Sequence, residues 1–307
     1  MKNLTMITTL ILVGLSNHPP TMNGLFVLFL LIFLITVTVN LLIIVLVLSD
    51  FHLHNPMYFF LANLALLDVS FMSVTTPKML FDLVTKSQSI SLSACFAQVY
   101  FFVFCASSEL FLLSAMSYDR YVAICHPLHY TQMMSWRICA YLAAAVWMTG
   151  CLNSLINTLF LLRLSFCGPN IIYNFFCDLP NLFQITCIDP FINMLVEFIG
   201  VCSYGLGAFV CTVFPYVRIF TAIHKMGNKT GKLKAFSTCT SHLAVVIIFY
   251  VSIIVIYVVP TSSNIRIINK LLSVTSALID PLLNPLIYSL RNKDLHAAFL
   301  RTFNYKN

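Results

Sequence analysis

Apolar side chains run from Leu25 to Leu48 with only Thr36, Thr38 and Asn40 among them, and no charge falls inside that stretch. A helix needs about 20 mainly apolar residues to cross roughly 30 Å of hydrocarbon. Comparable stretches recur along the chain and predict seven crossings, at residues 24–49, 56–84, 94–125, 139–162, 192–223, 236–259 and 270–290. A membrane β-barrel would instead show short alternating segments separated by turns. The crossings leave no room for a soluble domain, and no repeat of about 20–50 residues divides the chain. The expected fold is an all-α membrane protein, a seven-transmembrane helix bundle forming one domain over residues 1–307.

Composition agrees: 60% of residues are hydrophobic and only 9% charged, which excludes both a soluble globular protein and a disordered chain. The net charge of +7 is spread singly between apolar runs, so it forms no nucleic-acid-binding stripe. It reads as topology. With the amino terminus outside, Arg120, Arg137, Arg218, Lys225, Lys229, Lys232, Lys234, Arg291, Lys293, Arg301 and Lys306 face the cytoplasm, eleven of the 17 Lys and Arg. Residues 1–23 are then an extracellular amino terminus, 24–290 the bundle and 291–307 a cytoplasmic tail. In that tail Leu295, Phe299 and Phe303 fall four apart near Arg301 and Lys306, the pattern of a short amphipathic eighth helix on the anionic inner leaflet. The apolar stretch from Met6 to Leu15 lacks a basic leader and a small-residue cleavage site, so it is expected to be retained. Asn3 heads an outward glycosylation sequon, whereas the sequon at Asn228 falls on the inner side.

Most of the 11 cysteines lie within spans, as small buried apolar residues do. Cys95, Cys167, Cys177 and Cys187 do not. Cys95 lies 25 residues before Arg120, about 37 Å of helix, which places it outside with the other three. Four thiols in an oxidising compartment form a disulfide framework with three pairings open.

Ionisable groups inside a span are costly and mark function. Asp68, Glu109 and Asp280 are the clearest. On the third span Phe102, Ala106, Glu109, Leu113 and Arg120 share one inward face, so Glu109 points where Asp68 and Asp280 can also point. Such carboxylates suit a sodium ion, a shared proton, or a neutral cluster with Asn40, Ser114 and Asn284. A channel or transporter using this cluster is the remote alternative, without the inverted repeats or continuing proton path of such proteins. His126, His129, Cys125 and Cys139 lack a nucleophile, base and orienting group in sequence, so no enzyme is expected.

The inner end of the third span reads MSYDRYVAIC over 116–125, followed by His126, Pro127, Leu128 and Tyr130. PMYFFL stands at 56–61 with Asp68 beyond it, KAFSTCTSHL at 234–243 and PLLNPLIYSLRN at 281–292. In this order, across essentially the whole chain, these runs resemble the olfactory receptors among the rhodopsin-like (class A) G-protein-coupled receptors. The chain departs from the family at Val39 before Asn40, at Pro215 before Tyr216, at Val251 after Phe249 and Tyr250, and at Asp280. Pro215 is expected to add a kink beside Tyr216.

The resemblance implies disulfides Cys95–Cys177 and Cys167–Cys187, the second closing the outer loop as a lid. It implies a pocket in the outer half lined by Phe102, Val103, Ala106, Ser107, Gly200, Tyr204, Ile253, Tyr257, Val274 and Ala277, suited to a small hydrophobic odorant. Phe102 stands where amine receptors carry an aspartate, which disfavours a cationic amine, while Glu197 leaves a basic ligand open. It implies coupling to a heterotrimeric G protein of the stimulatory, olfactory type that raises cAMP, through Asp119, Arg120, Tyr121, Tyr216, Tyr250, Asn284, Pro285 and Tyr288. The implied location is the plasma membrane, in the cilia of olfactory sensory neurons. A non-olfactory receptor for an endogenous metabolite is the alternative. No cofactor is implied beyond an allosteric sodium ion at Asp68, Glu109 and Asp280.

Overall fold

The computed structural model describes residues 7–16, 18–167, 169–227, 229–258, 266–290 and 292–303, without the side chains of 229–231, 234, 235, 237, 238, 253–258, 266–269 and 290. Asn3, Arg291 and Lys306 therefore lie outside the described residues, as do the side chains of Ile253 and Tyr257. The crossings are α1 (Pro19–Ser49), α2 (Pro56–Thr85), α3 (Leu92–Cys125), α4 (Trp136–Leu161), α5 (Phe191–Lys225), α6 (Lys229–Val258) and α7 (residues 266–290). A shorter helix, α8 (Lys293–Phe303), follows. Six crossings are long and apolar enough to span a membrane by length and composition, and the seventh, α6, carries its described apolar run at Cys239–Ser252.

Local sequence sets the ends. Pro19 opens α1, so the helix begins five residues before the expected Gly24 and shortens the outer terminal segment. The Asn55 side chain accepts from the Tyr58 amide with Pro56 in the first turn, fixing the start of α2. Ser91 caps α3 through the Ala94 amide. Lys86, at φ 57°, takes the left-handed position that ends α2. Pro215 lies inside the helical segment Gly207–Lys225 without ending it, and Tyr216 beside it is buried.

The lipid-facing side of α1 carries Val27, Leu31, Leu34, Leu41 and Leu48, all exposed in the isolated chain, as expected of a helix whose solvent is hydrocarbon. In contrast, α3 runs through the middle of the bundle and buries Glu109, Leu112, Leu113, Asp119 and Arg120. One core cluster fills the inner half around Leu61, Leu64, Leu112 and Leu113. A second joins α1, α2, α3 and α7 in the outer half.

The outer end carries a small sheet that the hydropathy pattern does not reveal. Strand β1 (Thr9–Leu12) pairs antiparallel with β2 (Ser89–Ser91) and parallel with β3 (Ile171–Ile172). Leu10 and Leu12 turn inward on alternate positions and are fully buried. The stretch from Met6 to Leu15 thus contributes a strand to the outer cap.

Candidate functional site

The outer site is built around the loop between α4 and α5. Disulfide Cys95–Cys177 ties that loop to α3, and Cys167–Cys187 closes it on itself. Both pairings match those implied by the family resemblance. Gln98 on α3 reinforces the first, its Oε1 accepting from the Cys177 amide at 2.9 Å while its Nε2 donates to the Val74 carbonyl at 2.9 Å. Asn174 Nδ2 donates to Ser273 Oγ at 3.1 Å, linking the lid to α7. Asp178, next to Cys177, has its carboxyl pushed up to about 6 by burial, against the hydrogen bond it accepts from Asn181.

Beneath the lid, Phe102 stacks on Phe176 of the loop and packs at a tilt against Phe71 of α2, with ring centroids 5.0 and 4.9 Å away. Phe102, Ala106, Val274 and Ala277 belong to one cluster with Phe71, Phe175 and Phe176, whereas Val103 packs into the lid cluster around Leu161 and Phe183. Ser107 and Gly200 meet instead at Asn153 of α4, whose Nδ2 donates to Ser107 Oγ at 2.8 Å and whose Oδ1 lies 3.4 Å from where a Cβ on Gly200 would stand. Tyr204 sets its ring edge-on against Phe111. Of the described lining residues, Phe102, Ala106, Val274 and Ala277 thus lie in the apolar cluster under the lid and Ser107 and Gly200 around Asn153, while Val103 and Tyr204 pack elsewhere. Neither Asn153 nor the lid phenylalanines carry a sequence signal of their own.

Two backbone irregularities fall at these walls. α5 widens to a π-helix at Val201–Leu206, around Tyr204, and α7 does so at Thr275–Ile279, around Ala277. π-turns inside α-helices concentrate at functional sites because they displace the following side chains from regular register.

Below the aromatic group, Asn284 Nδ2 donates to Asp68 Oδ1 at 2.9 Å and to Glu109 Oε1 at 3.0 Å. Asp280 pairs with Ser252 of α6. Asp68 Oδ2, Asp280 Oδ1 and Asn40 Oδ1 are buried acceptors without a hydrogen-bond partner. Among the described residues no three His, Cys, Asp or Glu side chains are grouped closely enough to hold a metal ion. Of the three acidic residues, Asp68 and Glu109 are joined by Asn284, while Asp280 takes its hydrogen bond from Ser252 and acts on both through its charge. Ser114 faces away from both, sharing a hydrogen bond with Thr212, which in turn reaches the Tyr250 hydroxyl.

At the inner end Arg120 pairs with Asp119 at 2.6 Å, and Asp119 accepts a second hydrogen bond from Tyr130 at 2.7 Å. The Tyr216 hydroxyl meets His242 Nδ1 across α5 and α6, and their rings stack. Tyr288 lies buried 6.4 Å from His242 by ring centroid, with its hydroxyl unpartnered. Tyr121 turns outward to His126 Nε2 at 3.0 Å. His242 thus stands between two tyrosines expected to switch, a role its place in the KAFSTCTSHL run does not disclose.

These features agree with what the chain resembles as a whole. The family model described as "Olfactory receptor" matches residues 29–306. Olfactory receptor 1G1 of Gorilla gorilla gorilla is 46% identical over 297 residues, covering 97% of this chain and 95% of the relative. Olfactory receptor 1E16 of Mus musculus is 43% identical over 302 residues, covering 98% and 96%, and olfactory receptor 5B12 of Homo sapiens is 45% identical over 302 residues, covering 98% and 96%. With the bundle, the lidded outer site and the Asp119–Arg120 end matched along nearly their full length, the chain belongs to the olfactory receptor family.

Proposed function

We propose that this odorant receptor, a multi-pass protein of the plasma membrane, binds small, mostly hydrophobic molecules between Phe102, Ala106, Val274 and Ala277 on one side and Ser107, Gly200 and Tyr204 on the other. Val103, Ile253 and Tyr257 complete the set. The placement of Phe102 under the lid phenylalanines carries this reading, because an apolar aromatic site with few polar groups suits a hydrocarbon-rich ligand. A ten-carbon ligand gains at most about 8 kcal/mol from burial before association entropy is subtracted, which makes recognition weak and broad.

Binding favours an arrangement in which α6 moves outward, separating His242 from Tyr216 and freeing Arg120 to meet a heterotrimeric G protein that raises cAMP. The test is cAMP in transfected cells exposed to an odorant panel, with Arg120→Ala as control. Odorant responses that survive Arg120→Ala undiminished would overturn the coupling route.

Asp68 and Glu109 share a sodium ion or a proton within the same proposal, with Asp280 close enough to act on both through its charge. Two carboxylates joined by one amide cannot both stay charged cheaply without a counter-ion. Sodium titration of signalling in wild type and Asp68→Asn tests the ionic form, which fails if both respond equally. Glycosylation at Asn3 is read out by a mobility shift on glycosidase treatment that Asn3→Gln abolishes.

A further inference from the structure

A cavity of about 560 Å³ opens where α1, the end of α7 and α8 meet. Its floor is apolar, formed by Val39, Leu42, Ile43 and Leu46 of α1 and by Leu295 and Phe299 of α8. Its rim is polar, with Ser289, Lys293 and His296. Since α1 ends at Ser49, the floor runs from about 5 to about 15 Å below the cytoplasmic end of that helix, at the depth of inner-leaflet acyl chains. The rim lies at headgroup level.

The charges on α8 are allotted unequally. Arg301 is engaged by Asp50 at 2.6 Å, and Asp294 accepts from the Tyr58 hydroxyl at 3.1 Å. Lys293 and His296 are exposed and have no acidic partner among the described residues. Phe299 and Phe303 pack at a tilt with ring centroids 4.8 Å apart, and both are exposed. A crevice with an apolar floor and a polar rim that carries the Lys293 ammonium, at this depth, is complementary to an amphiphile with an anionic head. A packing helix from a second copy would need a continuous apolar face rather than a pocket enclosed by three elements of one chain.

We propose that this crevice binds an anionic phospholipid of the cytoplasmic leaflet, one acyl chain lying along α1 between Leu46 and Val39 and the phosphate resting on Lys293 and His296. Bound there, the lipid holds α8 against α1 in parallel with the Asp50–Arg301 contact.

The test uses the full-length receptor in phosphatidylcholine nanodiscs doped with phosphatidylserine carrying a photoreactive acyl chain, against the same probe on phosphatidylcholine. Labelling is mapped by peptide mass spectrometry. Labelling of the 39–46 or 293–299 peptides, stronger for phosphatidylserine, is expected. Lys293→Gln should weaken that preference about fivefold, the effect of one cation near an anionic leaflet, and adding His296→Gln should weaken it further. Leu42→Trp, which fills the floor, should reduce labelling by both probes while a disulfide-sensitive surface-expression assay confirms folding. Equal labelling by the two lipids, labelling elsewhere only, or cross-linking of Leu42→Cys between two receptor copies in place of lipid capture would each overturn the proposal.

Discussion

The Tyr130 hydroxyl donates to Oδ1 of Asp119 at 2.7 Å, while Oδ2 of the same carboxylate holds Arg120 at 2.6 Å. One carboxylate thus holds Arg120 and anchors the loop between α3 and α4. Burial, then the Asp119 charge and hydrogen bond, hold the Tyr130 phenol well above the ordinary tyrosine range, so it stays a donor at physiological pH. A hydrogen bond to a charged group contributes about 1.5–3 kcal/mol. Tyr130→Phe should therefore loosen Asp119 and raise basal cAMP several-fold at matched surface expression. Unchanged basal output would show that Asp119 does not depend on the loop.

Helices α3 and α4 approach closely at Gly150. A Cβ there would stand 2.0 Å from Ser108 Oγ and 2.9 Å from the Phe104 carbonyl oxygen. The hydroxyl could rotate away, but the backbone oxygen cannot, so Gly150→Ala must separate the helices. Overpacking of this kind costs about 1–3 kcal/mol. A lower thermal midpoint and reduced surface expression are expected, with Ser108→Ala relieving only part of the loss.

The two disulfides close loops of very different size, with separations of 82 and 20 residues. Chain-entropy arithmetic gives about 4.5 kcal/mol for the longer and about 3 for the shorter. Cys95→Ser should abolish surface delivery, since it also releases the loop that carries Phe176 onto Phe102. Cys167→Ser should leave receptor at the surface with weaker odorant responses. Equal loss for both variants would mean that the loop folds as one cooperative unit.

Asp178 lies beside the first of these bridges, and its carboxyl is pushed up to about 6 from an ordinary value of 3.8. A raised carboxyl binds more protons folded than unfolded, so its contribution is largest below 3.8 and is lost as pH rises through about 6. The lid should therefore be more stable at pH 5 than at pH 7.4, read as slower hydrogen exchange over the loop. Asp178→Asn should keep the Asn181 contact and remove this pH dependence.

The seven crossings were legible because a membrane demands about 20 apolar residues from each, a requirement carried locally by sequence. The outer sheet was not, because Thr9–Leu12 is a four-residue strand inside a short apolar run, and its partners lie around 80 and 160 residues away. Periodicity cannot separate such a strand from a helix fragment. At the site, motifs marked Arg120, Tyr216 and Tyr288, but Asn153 and the π-turns at Tyr204 and Ala277 arise from packing between helices. Facing inward fixes direction alone, so the pattern does not disclose that Asn284 joins Asp68 to Glu109 while Asp280 meets Ser252.

The Asp50–Arg301 contact was hidden by 251 residues of separation. Asp50 caps the turn Phe51–Leu53 by accepting from the His52 amide at 3.0 Å, and it also meets His52 Nδ1 at 2.8 Å. Burial works to raise its carboxyl, but the hydrogen bonds from Arg301 and His52 outweigh burial and hold it at about 2, below the ordinary 3.8. A depressed carboxyl contributes stability that is fully present above 3.8 and is lost as pH falls through about 2. Between pH 5 and 8 this contact is thus insensitive to pH, and Arg301→Gln should lower the thermal midpoint by the same amount throughout that range. The difference between wild type and Arg301→Gln should shrink as pH falls from about 4 towards 2. A difference that disappears already near pH 6 would show that the Asp50–Arg301 contact is not what Arg301→Gln removes.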